Sequence, residues 1–230
     1  MAVFIFGRGN SKAYSDTFSE NSWDDIIKAC QTNKVPSTWL VGDYKEMTIN
    51  GVAYDIAIIG KAHDTYSDGT GKAPLTFQMR DCYETKYPMN STDTNVGGWG
   101  SSKMRSTHLP AILAKMPGNV QLAIREVNKL TSAGNKSATI KTTADKLFLL
   151  SEVETAGTTS YSFAGEGVRY AYYAGGNIGS KYIGHETTSW WLRSPTQGSA
   201  SMFCDASSGD SINDYFASYT DFAVSFAFCF

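Results

Sequence analysis

The sequence predicts one α+β domain built from short antiparallel strands, two or so helices and long loops. Three observations carry that prediction. Trp23, Ile26, Ile27 and Cys30 fall at helical spacing, residues 39–59 alternate around an Asn-Gly pair, and residues 222–230 are apolar on both faces of a strand. Of 230 residues 42% are hydrophobic, and a chain of this length buries roughly 70–75% of the surface its unfolded form exposes, which excludes disorder. The 21 Gly, 13 Tyr and 12 Phe against 6 Pro suit strands joined by tight turns.

In chain order, Asn21-Ser22 precedes the first apolar helical stripe and Asp24-Asp25 complements the positive end of a helix, so a short amphipathic helix starts there. Trp39 to Ile49 and Val52 to Ile59 are strands joined at Asn50-Gly51 in a type I′ turn. Thr65 to Lys72 and Tyr87 to Gly100 read as loops. Met104, His108, Leu109, Ile112 and Leu113 mark a helix or helix pair, with Pro110 breaking or starting a segment. Alternation from Ala123 to Leu130 and from Ala138 to Lys141 gives strands, and Lys146 to Leu150 is too apolar for a surface strand. In the final run Phe222, Val224, Phe226, Phe228 and Phe230 share one face and Ala223, Ser225, Ala227 and Cys229 the other, the pattern of a buried strand. No repeat or linker divides residues 1–230; residues 1–20 are a candidate N-terminal extension.

Charge and composition narrow the function. The 20 Lys and Arg nearly balance 22 Asp and Glu, so no basic field exists to hold a phosphate backbone, and nucleic acid is not expected as a partner. No apolar run approaches the roughly 20 residues that span a bilayer. Ala2 to Phe6 is too short for a signal peptide's apolar core and lacks a basic stretch before it, so the expectation is a soluble chain without its own export signal. Cys30, Cys82, Cys204 and Cys229 lie too far apart for a metal or redox pair and read as isolated buried thiols.

The motifs of common chemistries fail in turn. His185-Glu186 begins a zinc-protease pattern whose fifth position is Ser189. Gly71-Lys72 lacks the rest of a phosphate loop, Gly176 to Gly179 lacks the first glycine of a dinucleotide loop, and no nucleophile elbow occurs. Glu152 and Glu154 on one face of a strand offer an acid/base pair, or solvated strand-edge charges. His63-Asp64 offers an oriented base, or a hairpin-end histidine bonded to a local carbonyl.

The last 33 residues differ in kind. Residues 1–197 hold all 20 bases and 18 acids, giving +2, whereas residues 198–230 hold no base and four acids, Asp205, Asp210, Asp214 and Asp221, giving -4. This tail carries seven Ser and eight aromatics, the vocabulary of an adaptable binding surface in which rigid rings give contact area and small polar residues give hydrogen bonds.

Trp190-Trp191-Leu192-Arg193-Ser194-Pro195, preceded by Asp145 to Glu154 and followed by Val224 to Cys229, resembles an uncharacterised bacterial and phage domain with a W-W-L-R-S-P signature, a variable stretch and a closing apolar strand. The resemblance extends upstream through Gly97-Gly98-Trp99 and Val41-Gly42-Asp43, covering most of residues 20–230; Ala227 stands where members often carry Gly. It implies a C-type-lectin-like fold, and some members are the variable proteins of diversity-generating retroelements, whose C-terminal segment is rewritten to bind new ligands. Rewriting Asn codons at adenine cannot produce Met, Trp, Gln, Lys or Glu. Those types number 38 in the chain and all lie at or before Met202, so the last 28 residues hold none.

The expectation is therefore a non-catalytic ligand- or receptor-binding protein, carried on a phage tail or in the bacterial cytoplasm before assembly, and bound to a protein or glycan on a cell surface. Trp191, Leu192, Phe226, Phe228 and Phe230 would be scaffold. Ser199, Ser201, Asp205, Ser207, Asp210, Asn213, Asp214, Tyr215, Tyr219 and Asp221 would form the displayed surface within residues 198–230, with four uncompensated Asp favouring a neutral to basic partner. No cofactor is expected, and no EF-hand pattern supports calcium, although loop carboxylates leave it open. Two alternatives are a structural module of a phage tail and an oxidase of the formylglycine-generating type, for which Cys204 and Cys229 are the candidate cysteines.

Overall fold

A computed structural model describes residues 14–175, 179–207 and 211–230. Helix α1 (Trp23–Gln31) opens on a capping box in which the Ser22 hydroxyl accepts the Asp25 amide and the Asp25 carboxylate accepts the Ser22 amide. Strands β1 (Tyr44–Ile49) and β2 (Val52–Lys61) pair antiparallel, and Asn50 and Gly51 between them have φ of +52° and +82°, as a type I′ turn requires. The first strand begins later than expected from Trp39, because Gly42 at φ +99° and the Asp43 carboxylate, which accepts the Leu40 amide at 2.8 Å, bend residues 39–43 into a turn.

Strand β3 (Leu75–Met79) follows the first loop. The expected helix pair is a π-helical turn, Met104–His108, running into α2 (Leu109–Leu113), with Pro110 in the first turn where a missing N–H costs nothing. Helix α3 (Gly118–Ala123) occupies residues next to the expected strand from Ala123, which begins instead as β4 (Val127–Gly134) and pairs with β5 (Ser137–Asp145). Then come β6 (Leu147–Phe148), α4 (Glu152–Ala156), β7 (Lys181–Ile183), β8 (Glu186–Thr188), β9 (Trp190–Pro195), β10 (Met202–Ala206), β11 (Ile212–Phe216) and β12 (Ala227–Cys229).

Among the described residues four antiparallel sheets result: five strands in the order β1-β2-β3-β12-β6, three in the order β11-β10-β9, and the ribbons β4-β5 and β7-β8. The C-terminal run is buried as expected, but only Ala227–Cys229 forms a ladder, lying between β3 and β6. Residues 222–226 stitch the two larger sheets together: the Trp191 amide donates to the Ala223 carbonyl at 3.0 Å, the Tyr83 amide to Val224 at 2.8 Å and the Met79 amide to Phe226 at 3.2 Å. Phe77 stacks on Phe228 with ring centroids 5.5 Å apart and touches Phe230 at 5.3 Å, and Trp23 of α1 packs on Phe77 and Phe230. Among the described residues no helix is long and apolar enough to cross a membrane.

Candidate functional site

All six residues of β9 are buried, and Arg193 ties the strand to its surroundings. Its guanidinium lies fully out of solvent, forms a two-pronged ion pair with Glu154, and donates to the carbonyls of Leu149 at 2.8 Å, Leu130 at 3.1 Å and Glu166 at 3.0 Å and to the Thr131 hydroxyl at 3.0 Å. Glu154 also binds Lys129 Nζ at 2.7 Å, and Lys129 reaches Asp64 at 2.8 Å. The Tyr170 hydroxyl and the Thr76 hydroxyl complete Asp64 at 2.8 and 2.6 Å. Burial alone would raise both carboxyls. The Arg193 and Lys129 charges more than offset this at Glu154, and Lys129 with its hydrogen bond holds Asp64 down at about 2.

This chain corrects the expectation for Glu152 and Glu154, which lie in a helix rather than on a strand edge and are both buried. The Ser151 hydroxyl accepts the Glu154 amide while the Glu154 carboxylate accepts the Ser151 amide, and Gly157 closes the helix at φ +73°. Ser151-Glu152-Val153-Glu154 is a capping-box sequence, the signal that identifies the helix without the structure. The Glu152 carboxylate collects the amides of Ser160, Tyr161 and Ser162, fixing the loop beyond α4. His63 stacks on Tyr170 with centroids 3.9 Å apart, and burial lowers its pKa; its neighbour Asp64 is engaged by Lys129, Tyr170 and Thr76 rather than by the imidazole.

Strand β10 hangs on β9, and β11 hangs on β10 in continuous register from Met202↔Phe216 to Ala206↔Ile212. The loop before α2 clamps the open end of this hairpin, where β10 starts and β11 finishes. Asn95, fully buried, donates its side-chain amide to the carbonyls of Ser199 at 2.8 Å and Met202 at 2.7 Å, and its backbone amide to Ala200 at 2.7 Å. The Asn90 amide donates to the Ala217 carbonyl at 2.9 Å, and Asp93 accepts both the amide and the hydroxyl of Ser218. Sequence reasoning missed these three clamp residues; an Asn, Asp and Thr rich loop is their compositional signal. At Gly134 a Cβ would stand 1.7 Å from the Asn95 carbonyl oxygen, so the crossing of this loop over β4 tolerates only glycine.

Of the ten expected surface residues, Asn213, Tyr215 and Asp221 are exposed, and Ser199, Ser201, Ser207, Asp214 and Tyr219 are half-buried. Asp210 lies outside the described residues. Asp205 differs: it is 2% exposed, on a strand whose residues Phe203 to Ala206 are buried on both faces, and one carboxylate oxygen has no hydrogen-bond partner among the described residues. Burial, helped by the nearby Asp214 charge, pushes its carboxyl up to about 7. Asp221 is not uncompensated either, since Lys86 Nζ meets it at 2.6 Å. The negative character of this face thus rests chiefly on Asp214 among the described residues.

The rings gather. Tyr215 and Tyr219 approach to 4.4 Å between centroids, each packs on Phe222 at 5.3 and 4.8 Å, and Phe222 meets the buried Trp191 at 4.8 Å. Tyr215 and its neighbour Phe216 are 41% and 45% exposed, so a cluster rooted in the core ends at solvent. The four cysteines are buried and free; Cys204 lies on β10, Cys229 on β12, and burial raises both thiols far above their usual range. Among the described residues no group of three or more His, Cys, Asp or Glu side chains is placed to share a metal ion.

Residues 75–230 match the family described as Domain of unknown function (DUF6273), and the chain belongs to that family. The match starts at the first residue of β3 and takes in the signature strand β9, the hairpin and the closing strand, while β1 and β2 complete the same five-stranded sheet from outside it. No curated protein and no solved structure matches the chain.

Proposed function

We propose that this chain is a non-catalytic ligand-binding protein of the variable kind found in diversity-generating retroelements, with a C-type-lectin-like scaffold, displayed on a phage tail to engage a protein or glycan at a cell surface. The observation that carries the proposal is the aromatic cluster of Tyr215, Phe216, Tyr219 and Phe222, which begins on buried Trp191 and ends exposed. A contiguous group of rings whose outer members, Tyr215 and Phe216, reach solvent favours a binding role, since rigid aromatics supply contact area with little entropy to lose. The strand beneath is tied down by Arg193, which suits a surface whose side chains change while its support does not. The absence of Lys, Glu, Gln, Met and Trp after Met202 supports rewriting at adenine.

The test has a genetic and a physical arm. The coding DNA should lie near an adenine-rich copy of its own 3′ segment and a reverse transcriptase gene. Purified protein should bind a feature on arrays of glycans and cell-surface proteins, and a Tyr215→Ala/Tyr219→Ala variant should lose about 30-fold or more in affinity for that feature, the equivalent of about 2 kcal/mol. Absence of any bound feature together with absence of the template copy would sink the proposal.

A further inference from the structure

The outer edge of β11 is built to accept another strand. Antiparallel ladders alternate, so that residues pointing their N–H and C=O at one neighbour are flanked by residues pointing theirs away. The Ser207 amide donates to the Ser211 carbonyl at 2.8 Å and the Ala217 amide to Ser201 at 2.9 Å, which fixes the odd-numbered residues as those bonded to β10. Ile212, Asp214 and Phe216 therefore direct their backbone groups outward. Among the described residues β11 pairs only with β10, and no hydrogen bond reaches the outward groups of Ile212 and Asp214; the Phe216 carbonyl alone is used, by the Tyr219 amide at 3.0 Å.

Proteins usually blunt such an edge with a lysine, a proline, a bulge or a covering loop. Strand β11, Ile212-Asn213-Asp214-Tyr215-Phe216, has no lysine or proline, and its register with β10 is free of the bulge that interrupts β9 and β10. Its one charge, Asp214, is central and makes no ion pair or hydrogen bond among the described residues. That charge selects the occupant. Two copies of β11 paired antiparallel over all five residues would set Asp214 against Asp214, an unfavourable cross-strand pair, whereas a strand with Lys or Arg at that place meets an opposite charge.

We infer that β11 recognises an extended protein segment by strand addition, with a basic residue opposite Asp214 and apolar or β-branched side chains beside Tyr215 and Phe216. The inference rests on the ligand-binding reading above and specifies its mode. It also supplies what a variable surface otherwise lacks: the outward backbone amides and carbonyls stay the same whatever side chains β11 carries, so the backbone provides affinity and the side chains provide choice.

The experiment selects a random linear peptide library against the purified full chain and measures amide hydrogen exchange by NMR with an enriched peptide. Enriched peptides should centre on Lys or Arg between alternating β-branched or aromatic residues and lack proline in that stretch. Binding should slow exchange at the Ile212 and Asp214 amides and leave Asn213 and Tyr215, already bonded to β10, unchanged. Asp214→Lys should turn the selected central residue from basic to acidic, and Asp214→Asn should keep the same peptides with a few-fold loss. The inference is overturned if bound peptides leave the Ile212 and Asp214 amides unprotected, if those amides become protected with rising protein concentration and no peptide, or if nothing is enriched. An array feature bound through the Tyr215 and Tyr219 rings, with the edge amides unaffected, overturns strand addition and leaves the ligand-binding proposal standing; no binder by either route overturns strand addition and, where the template copy is also absent, removes both.

Discussion

Strands β9 and β11 flank the same strand, β10, and are opposites. Every residue of β9 is buried, and its one charge, Arg193, meets a carboxylate, a hydroxyl and three carbonyls. No residue of β11 is buried, and its one charge, Asp214, makes no ion pair or hydrogen bond among the described residues. Three strands thus pass from fully specified to open in about 10 Å, at the usual strand spacing of about 4.8 Å. The difference teaches that a buried ion must be over-determined to be tolerated, because its desolvation cost is several kcal/mol, whereas a half-exposed one keeps part of its hydration and needs no protein partner.

Breaking the β9 side should have the largest effect. Arg193→Met leaves Glu154 buried with Lys129 as its remaining cation, and should cost about 3–5 kcal/mol in denaturant unfolding. A loss below about 1 kcal/mol would mean that the ion chain does not hold β9. Ala at Trp191 or Phe226, both fully buried, should cost about 3–5 kcal/mol through the cavity left behind, and unchanged unfolding midpoints would show these residues to be dispensable.

Next comes the strand between. Asp205 is raised in the folded chain from 3.8 to about 7, so the fold binds its proton more tightly than the unfolded chain does. That contribution is fully present below about pH 3.8 and is lost as pH rises through 7. Asp205→Asn should therefore match the parent near pH 4 and exceed its stability near pH 8 by up to about 4 kcal/mol, at about 1.4 kcal/mol per pKa unit. Asp64 has the reverse sign: lowered to about 2, its contribution is present above 3.8 and lost as pH falls through 2, so Asp64→Asn should narrow the gap to the parent only in acid. Parallel pH profiles for parent and Asp205→Asn would refute the buried, proton-holding carboxyl.

Effects at the β11 side should be smallest. Lys86→Ala removes an exposed pair with Asp221 and should change stability by less than about 1 kcal/mol. The Tyr215→Ala/Tyr219→Ala variant should also stay within about 1 kcal/mol, since Tyr215 is exposed and Tyr219 only half-buried, so that no closed cavity is left in the core. If thermal unfolding shows that double variant strongly destabilised, the aromatic cluster is scaffold, and β11 resembles β9 after all.

Much of this architecture is legible along the chain, and its legibility follows sequence distance. Helix α1, with its cap at Ser22, and the Asn50-Gly51 hairpin are settled by residues within a few positions of one another, because caps and two-residue turns satisfy backbone groups locally. The burial of Val224 to Phe230 follows from a run too apolar for any surface. The helix at Glu152–Ala156 is equally local in its capping box, yet the spacing of Glu152 and Glu154 also fits one face of a strand, and nothing near them in sequence shows that both carboxylates are buried. Within residues 198–230 the sequence reading matches the exposure of Asn213, Tyr215 and Asp221 and fails at Asp205; an aspartate in a Ser and Asp rich stretch gives no local sign that its strand will be a buried middle one.

The amino-acid sequence by itself determined the α+β class, the first helix and hairpin, the buried closing strand, and a C-terminal segment rich in rings and small polar residues. Only the tertiary structure decided which charges are interior and that β11 pairs, among the described residues, on one side alone. Arg193 meets Glu154 across 39 residues, Lys129 meets Asp64 across 65, and Tyr170 meets Asp64 across 106. The physical reason is one of range: backbone caps and turns are closed by near neighbours, but a buried charge is stable only where distant segments converge to pair it, and an edge is free only where every other strand has found its partners elsewhere.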